Sequence, residues 1–328
     1  MSIPAIHHCP GTLAPGYETY SSACLRRVFS GHKVSHVLPY LSPVSDKNTA
    51  KEFLENQKRI SISGVQEKFS VILDKNKLRL TKEGERGTYI LKPAPGILDH
   101  GDQIPANEHL TMQIAQQVYD IETAENALIF FKNGEAAYIT KRFDGNDARG
   151  KLAKDDFASL AGLTPQKDGD HYKYSGCYLD LFNTLKKYLP IYSIEAPKLF
   201  QLIIFNYLFS NGDAHHKNFS ILETALGDYR LSPAYDLLNT HLHVDDAVFA
   251  LADGLLPVNY AVGNIRAQLI YLGIQAGIPE KQVSLILKSM LSHQAKVQKL
   301  IEASFLSQKF KKAYAEQYIA RLQILNQV

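Results

Sequence analysis

The chain of 328 residues has no tryptophan, three cysteines and three methionines. Cys9, Cys24 and Cys177 lie far apart and form no C-x-x-C unit, which excludes a disulfide framework or a redox dithiol and suits a reducing, cytoplasmic compartment. Cys9 and Cys24 beside His7 and His8 have neither the spacing nor the number of a zinc signature. Long apolar runs are also missing. The greasiest stretch, residues 202–209, is short and interrupted by Asn206, and the first residues lack a charged n-region followed by an apolar segment, so neither a membrane span nor a signal peptide is expected. A formal charge of only +3 excludes a strongly basic nucleic-acid binder; Lys296, Lys299, Lys309, Lys311 and Lys312 read as one solvated helix face. No internal repeat or low-complexity tract is present.

What is there is ordinary globular composition, 45% apolar and 21% charged, in a chain long enough for two lobes. The first sixty residues are turn-rich, with one short helix near 20–29. Alternation at Phe69, Val71 and Leu73 then starts a strand, with two more at 78–80 and 88–91, which together read as an antiparallel meander. Leu110, Ile114 and Val118 recur every four residues behind Pro105, predicting a helix over 105–118. Strands at 127–131 and 136–143 follow, joined through Asn133-Gly134, which favours a two-residue type I′ turn. Beyond Asp144 helical patterns dominate, at 155–162, 176–188, 197–210, 258–275 and 278–327, broken by short strands at 219–222 and 229–231. The expected fold is therefore α+β and bilobal: a strand-rich lobe over 1–144 and a mainly helical lobe over 145–328.

Polar chemistry concentrates at that break. In Asn211-Gly212-Asp213-Ala214-His215-His216-Lys217-Asn218 the D-x-x-x-x-N spacing is that of a protein-kinase catalytic loop, where the aspartate orients the acceptor hydroxyl and the asparagine gives magnesium an oxygen. Lys217 can neutralise the transferring phosphate. The bland alternative is an Asx-rich turn that satisfies its own backbone. A hairpin through 219–231 would return Asp236, in Ser232-Pro233-Ala234-Tyr235-Asp236, beside Asn218 as a second magnesium ligand; otherwise Asp236 caps a helix beginning at Leu237. Upstream, Ser61-Ile62-Ser63-Gly64-Val65-Gln66 is a small-residue loop able to fold over phosphates, although it fits neither the Walker pattern nor G-x-G-x-x-G. Lys92 ends the third strand where it can reach α/β-phosphates, and Glu108 in the next helix can pair with it; each is otherwise an exposed charge. The order of these parts is that of a bilobal kinase.

A rival reading gathers Asp213, His215, His216, His241, His243, Asp245 and Asp246 into a hydrolytic metal site, against which adjacent His215 and His216 point in different directions. Another is a silent, nucleotide-binding pseudokinase acting by docking, against which Lys92, Asp213, Asn218 and Asp236 are all intact.

The pieces SISGVQEKFSVIL, YILKP, NEHLTMQIA, ITKRFD, DDFASLAG, NGDAHHKNFSIL and LSPAYDLL, in this order across residues 60–240, resemble the HipA-like kinases, toxins of bacterial toxin–antitoxin modules. The resemblance implies a fold related to lipid and protein kinases, ATP and Mg2+ as cofactors, Asp213 as catalytic aspartate, Asn218 and Asp236 as magnesium ligands and Lys92 as phosphate-binding lysine. It places adenine against the backbone of Lys141 to Phe143 and ribose near Asp144, although Lys141 stands where longer members carry glutamate. Ser61 and Ser63 would be self-phosphorylated. The short stretch before SISGVQ resembles the HipT branch, which implies a small separate antitoxin in place of an N-terminal domain, a DNA-binding antitoxin, and an aminoacyl-tRNA synthetase as substrate, tryptophanyl rather than glutamyl. Tyr17, Tyr20, Leu25, Val28, Phe29 and residues 37–41 would then either meet such a partner or pack on the chain's own sheet.

Overall fold

The computed structural model describes residues 5–43, 67–96, 100–146 and 150–327. They form two compact units. The first takes the described residues up to Ile114 together with 124–143 and 299–312; the second takes 115–123, the described residues of 144–298, and 313–327.

In the first unit, helix α1 (Ser22–Phe29) starts where the Ser21 side chain accepts a hydrogen bond from the amide of Cys24 and stops at Ser30, whose φ of 53° ends the helical ladder. Strands β1 (Phe69–Asp74), β2 (Lys77–Leu80) and β3 (Tyr89–Pro93) precede helix α2 (Ile104–Tyr119), and β4 (Asn126–Phe130) and β5 (Ala136–Lys141) complete one antiparallel sheet of order β2-β1-β3-β5-β4. The sheet is thus no meander at its start: β1 lies between β2 and β3, pairing Val71 with both Leu80 and Tyr89. Nor is the β4–β5 turn a two-residue type I′. The Phe131 amide donates to the Glu135 carbonyl and the Gly134 amide to the Phe131 carbonyl, with Gly134 alone of the turn at positive φ. That is a three-residue loop closed by a glycine bulge, which spares Asn133 the left-handed region.

Strand alternation divides the side chains between two faces. Phe69, Val71, Tyr89, Leu91, Ala127, Ile129, Ala137 and Ile139 face one way and are covered by Cys9, Tyr20, Cys24, Val28, Phe29, Val34 and Leu38 from the N-terminal segment. The apolar residues of that segment therefore pack largely on the chain's own sheet, and of those proposed to meet a partner Tyr17, Pro39 and Leu41 are exposed. On the other face, Lys92 lies opposite Tyr138.

Helix α2 departs from a simple one-sided pattern. Asn107, Glu108, His109, Thr111 and Gln113 are buried along with Leu110 and Ile114. Buried polar groups need partners: Gln113 donates to the Asn126 side chain and Thr111 to the carbonyl of Asn107. His109 Nε2 lies 3.4 Å from the Gly11 carbonyl, while Nδ1 has no partner among the described residues. Burial holds this imidazole neutral, its pKa pushed down to about 4 from 6.5. Below pH 6.5 an unfolded histidine binds a proton that folded His109 refuses until about pH 4, so stability falls as pH drops through that window. Between pH 7 and pH 5 the loss from this one group is about 2 kcal/mol. Urea titrations at the two pH values should show a His109→Gln chain losing less stability than wild type by that amount; equal losses would clear His109.

The second unit begins with the two-residue pair β6 (Gly145–Asn146) and β7 (Gly150–Lys151), then β8 (Lys154–Asp156) and the single-turn helices α3 (Phe157–Leu160) and α4 (Pro165–Asp168). Residues 155–156, expected to open a helix, instead belong to the edge strand β8; the Asp156 side chain then caps α3 by accepting from the Ser159 amide. Helices α5 (Tyr178–Tyr188) and α6 (Tyr192–Leu208) follow, and α6 begins five residues before the expected start, carrying Pro197 within it. Strands β9 (Ser220–Glu223) and β10 (Tyr229–Leu231) join β8 in a sheet of order β10-β9-β8. Helices α7 (Ile265–Gln275), α8 (Glu280–Met290), α9 (Gln294–Ala303) and α10 (Gln308–Asn326) close the chain, dividing the expected 278–327 helix into three. The apolar α6 is buried along most of its length. A Cβ on Gly273 would stand 2.7 Å from Val283 and 3.1 Å from Phe200, so α7 meets α6 and α8 at a contact that tolerates no side chain. No helix among the described residues is long and apolar enough to cross a membrane.

Candidate active site

The second unit builds the polar loop from both ends. At the end of α6, Ser210 turns left-handed at φ 51° and the Asn211 side chain donates to that of Asn206. Thr240 then clamps the turn: its hydroxyl accepts from the Gly212 amide at 2.9 Å and donates to the Ser210 carbonyl at 3.2 Å. A Cβ on Gly212 would lie 2.5 Å from the Ala247 carbonyl and 2.6 Å from the Asp246 carboxylate, so glycine is required by the crossing of residues 246–247.

Asp213 follows, with 49% of its side-chain surface exposed. Tyr174 donates from its hydroxyl to Asp213 Oδ1 at 2.8 Å. Partial burial pushes the carboxyl pKa up, the Tyr174 hydrogen bond and Lys173 oppose this, and the charges of Asp246 and Asp236 add to it. The carboxylate is thereby more basic than a free one, as suits a group that accepts a proton.

His215 and His216 do not share a ligand position. The His215 ring stands edge-on to Tyr174, 5.1 Å between centroids, and burial depresses its pKa to about 3. His216 Nε2 instead bonds the Ser175 carbonyl at 2.9 Å, and His241 Nε2 the Ala247 carbonyl at 3.1 Å. Among the described residues no three His, Cys, Asp or Glu side chains are grouped to hold a metal, so the hydrolytic arrangement is not formed.

A magnesium site of another kind needs fewer protein ligands, since that ion takes one or two carboxylate or amide oxygens and completes its shell with phosphate and water. Asn218 ends a single 3-10 turn (His216–Asn218), and its Oδ1 accepts from the His215 amide at 3.2 Å, which fixes the oxygen's direction. The β9–β10 hairpin pairs Ile221 with Leu231, so residues 218 and 236 leave the same end of it. The half-buried Tyr235 draws them together. Its hydroxyl donates to the Lys217 carbonyl at 2.8 Å and meets Ser220 Oγ at 2.5 Å, while Lys154 Nζ sits 4.3 Å from its ring centroid. Asp236 has φ 56°, a backbone state that costs energy outside glycine and recurs at functional positions. No helix begins at Leu237, so the capping alternative for Asp236 falls away. Hard oxygen donors on a fixed amide and a strained aspartate suit magnesium. Lys217 Nζ lies 3.4 Å from the Tyr172 hydroxyl.

In the first unit, Lys92 Nζ and Glu108 Oε1 are 2.5 Å apart with side chains 4% and 2% exposed, and the ammonium lies 5.3 Å from the centre of the Tyr138 ring. Lys141 ends β5 with its amide on the Glu125 carbonyl and its ammonium on Ser30, and the Arg142 amide is bonded to the Thr88 carbonyl. Phe143, half-buried, ends the 124–143 segment of the first unit; Asp144, buried, begins the 144–298 segment of the second, its carbonyl bonded to the Leu152 amide. Ser61, Ser63, Gly64, Val65 and Gln66 lie outside the described residues.

Tyr174, Tyr235 and Asp246 were not among the residues singled out from the sequence for the kinase centre. Asp246 had appeared in the rival hydrolytic set, and Tyr235 only as part of the segment that carries Asp236. Tyr174 and Asp246 come from separate stretches of chain, with no spacing to link either to Asp213.

Comparison with known proteins bears on all of this. Residues 60–298 match the family described as the HipA-like C-terminal domain. Two Sinorhizobium fredii proteins designated "Putative kinase", Y4mE and Y4dM, are 31% and 30% identical over 57% and 74% of this chain, and the matches span 44% and 60% of their own lengths. A Haemophilus influenzae protein of the same designation is 23% identical over 83% of both chains. Among solved structures, HipA from the Shewanella oneidensis toxin–antitoxin complex with HipB and operator DNA superposes with TM-score 0.64 at 20% identity, over 87% of this chain and 73% of that one. The Helicobacter pylori proinflammatory kinase CtkA does so with TM-score 0.52 at 13% identity, over 78% and 94%. These two share the fold, and the matched span of 60–298 shows that the chain belongs to the HipA-like C-terminal domain family.

Proposed function

We propose that the chain is an ATP- and magnesium-dependent serine/threonine protein kinase, the toxin of a toxin–antitoxin module. The observation that carries the reading is Asp213: a carboxylate made more basic by its surroundings, five residues before an asparagine with an oriented amide oxygen and tied through Tyr235 to Asp236. In the proposed reaction an acceptor hydroxyl gives its proton to Asp213 while its oxygen bonds the γ-phosphorus; the bond from that phosphorus to the β–γ bridging oxygen breaks and ADP leaves. Asn218 and Asp236 would hold magnesium, whose charge neutralises the phosphate oxygens. Lys92, kept extended by Glu108, would bind the α/β-phosphates and Lys217 the transferring group. Because the Lys141 and Arg142 amides are already bonded, adenine would meet carbonyl oxygens of this segment or the backbone beyond Arg142.

By resemblance to the family, the acceptors are loop serines Ser61 and Ser63 and a serine of an aminoacyl-tRNA synthetase, tryptophanyl before glutamyl, and the partners are antitoxin proteins, one of them DNA-binding. Dependence on ATP and three free, buried cysteines favour a cytoplasmic location. Intact mass after incubation with ATP and magnesium, alone and with each purified synthetase, is the test. A gain of phosphate on the chain, mapped to Ser61 or Ser63, and on the tryptophanyl enzyme is expected. Unchanged masses throughout would instead support the silent docking protein.

A further inference from the structure

Asp213 is served by a neighbour that no kinase spacing predicts. Among the described residues Tyr174 is the one side chain that donates a hydrogen bond to this carboxylate, and it takes Oδ1 at 2.8 Å. Its segment is held from two sides. The Tyr174 carbonyl accepts from the Ala252 amide at 2.9 Å and the Gly176 carbonyl from the Asp253 amide at 3.0 Å, so residues 252–253 run alongside it. From the polar loop, His216 Nε2 bonds the intervening Ser175 carbonyl and the His215 ring meets the Tyr174 ring edge-on. Lys173 lies over the same ring, 4.9 Å from its centroid.

We propose that Tyr174 is a positioning residue for the phosphoryl transfer, fixing the Asp213 carboxylate through Oδ1 so that Oδ2 is presented to the acceptor hydroxyl. The inference rests on the kinase reading and deepens it. An aspartate carboxylate rotates about a broad, shallow torsion, and a charge-assisted bond to one oxygen from a clamped donor removes that freedom. The acceptor proton then passes to Oδ2 as the oxygen–phosphorus bond forms. Tyr174 keeps its own proton, because burial and the Asp213 bond hold the phenol well above its ordinary range, so it donates throughout and never acts as base.

The test uses the full chain with Tyr174, with Tyr174→Phe, and with 3-fluorotyrosine placed at 174. Phosphate incorporated into the chain itself is followed by intact mass against ATP concentration at fixed magnesium. Tyr174→Phe should lower the maximal rate about tenfold, as expected for one lost hydrogen bond to a charged group. Half-saturating ATP should stay within about twofold and the melting temperature should not change, while fluorotyrosine should restore the rate. A Phe variant as fast as wild type would overturn the proposal. So would a loss that fluorotyrosine does not restore, or phosphate mapped to Tyr174 itself, since the hydroxyl would then be an acceptor. A wild-type chain that gains no phosphate defeats the kinase reading and this inference with it.

Discussion

Asp213→Asn should leave a folded chain that still binds ATP with magnesium and transfers phosphate about 10²–10⁴-fold more slowly, the usual worth of a positioned proton acceptor. The substitution keeps the shape of the side chain, and its amide oxygen can still accept from Tyr174, so the clamp on residues 174–176 survives. An amide cannot take the acceptor proton at neutral pH, which confines the loss to the chemical step. Radiolabel transfer measures that step, nucleotide titration measures binding, and circular dichroism reports the fold. Asp236→Asn in the same titration should weaken magnesium-dependent nucleotide binding instead. Transfer by Asp213→Asn at the wild-type rate would remove this residue from its role.

The second large effect belongs to the buried pair in the first unit. Glu108→Ala strips Lys92 of the carboxylate 2.5 Å away in a place where both side chains are almost wholly buried. Breaking one partner out of a buried ion pair costs about 3–5 kcal/mol, far more than the same change at a surface. Equilibrium unfolding in urea should show that loss. Should the single variant fail to fold, Lys92→Met with Glu108→Leu distinguishes the causes. Replacing both charges by apolar groups of similar size is often neutral, so the double variant should fold and still transfer no phosphate. A double variant with full activity would reduce the pair to a structural element.

The parts of this protein that were legible before folding are those written in short-range order. Strand alternation at Phe69, Val71 and Leu73 and the four-residue recurrence through Leu110, Ile114 and Val118 located β1 and α2, because backbone geometry repeats every two or every 3.6 residues. The D-x-x-x-x-N spacing from Asp213 to Asn218 was readable for the same reason: one loop sets both ends. Errors came where strand pairing overrides the local pattern. Residues 155–156 open the helix expected from the sequence, yet they pair with β9, some 65 residues on, through Asp155 and Ile221. The Asn133-Gly134 pair suggests a type I′ turn, but the Phe131–Glu135 register leaves three residues in the loop. Propensity yields to pairing when the ladder supplies several bonds.

By itself, then, the sequence determined the two element types, most of their order, and the positions of the acid, amide and lysine proposed here for phosphoryl transfer, since all of these follow from local periodicity and motif spacing. Tertiary structure alone decided how those groups are held. Whether Glu108 meets Lys92 depends on how α2 packs, with both charges enclosed. That Asp236 comes back toward Asn218 depends on the β9–β10 register and on Tyr235 reaching the Lys217 carbonyl. That Tyr174 reaches Asp213 from 39 residues away depends on residues 252–253 holding its segment in place. Loop closure over such separations costs similar entropy for many alternative contacts, so only the summed packing of the finished fold selects among them.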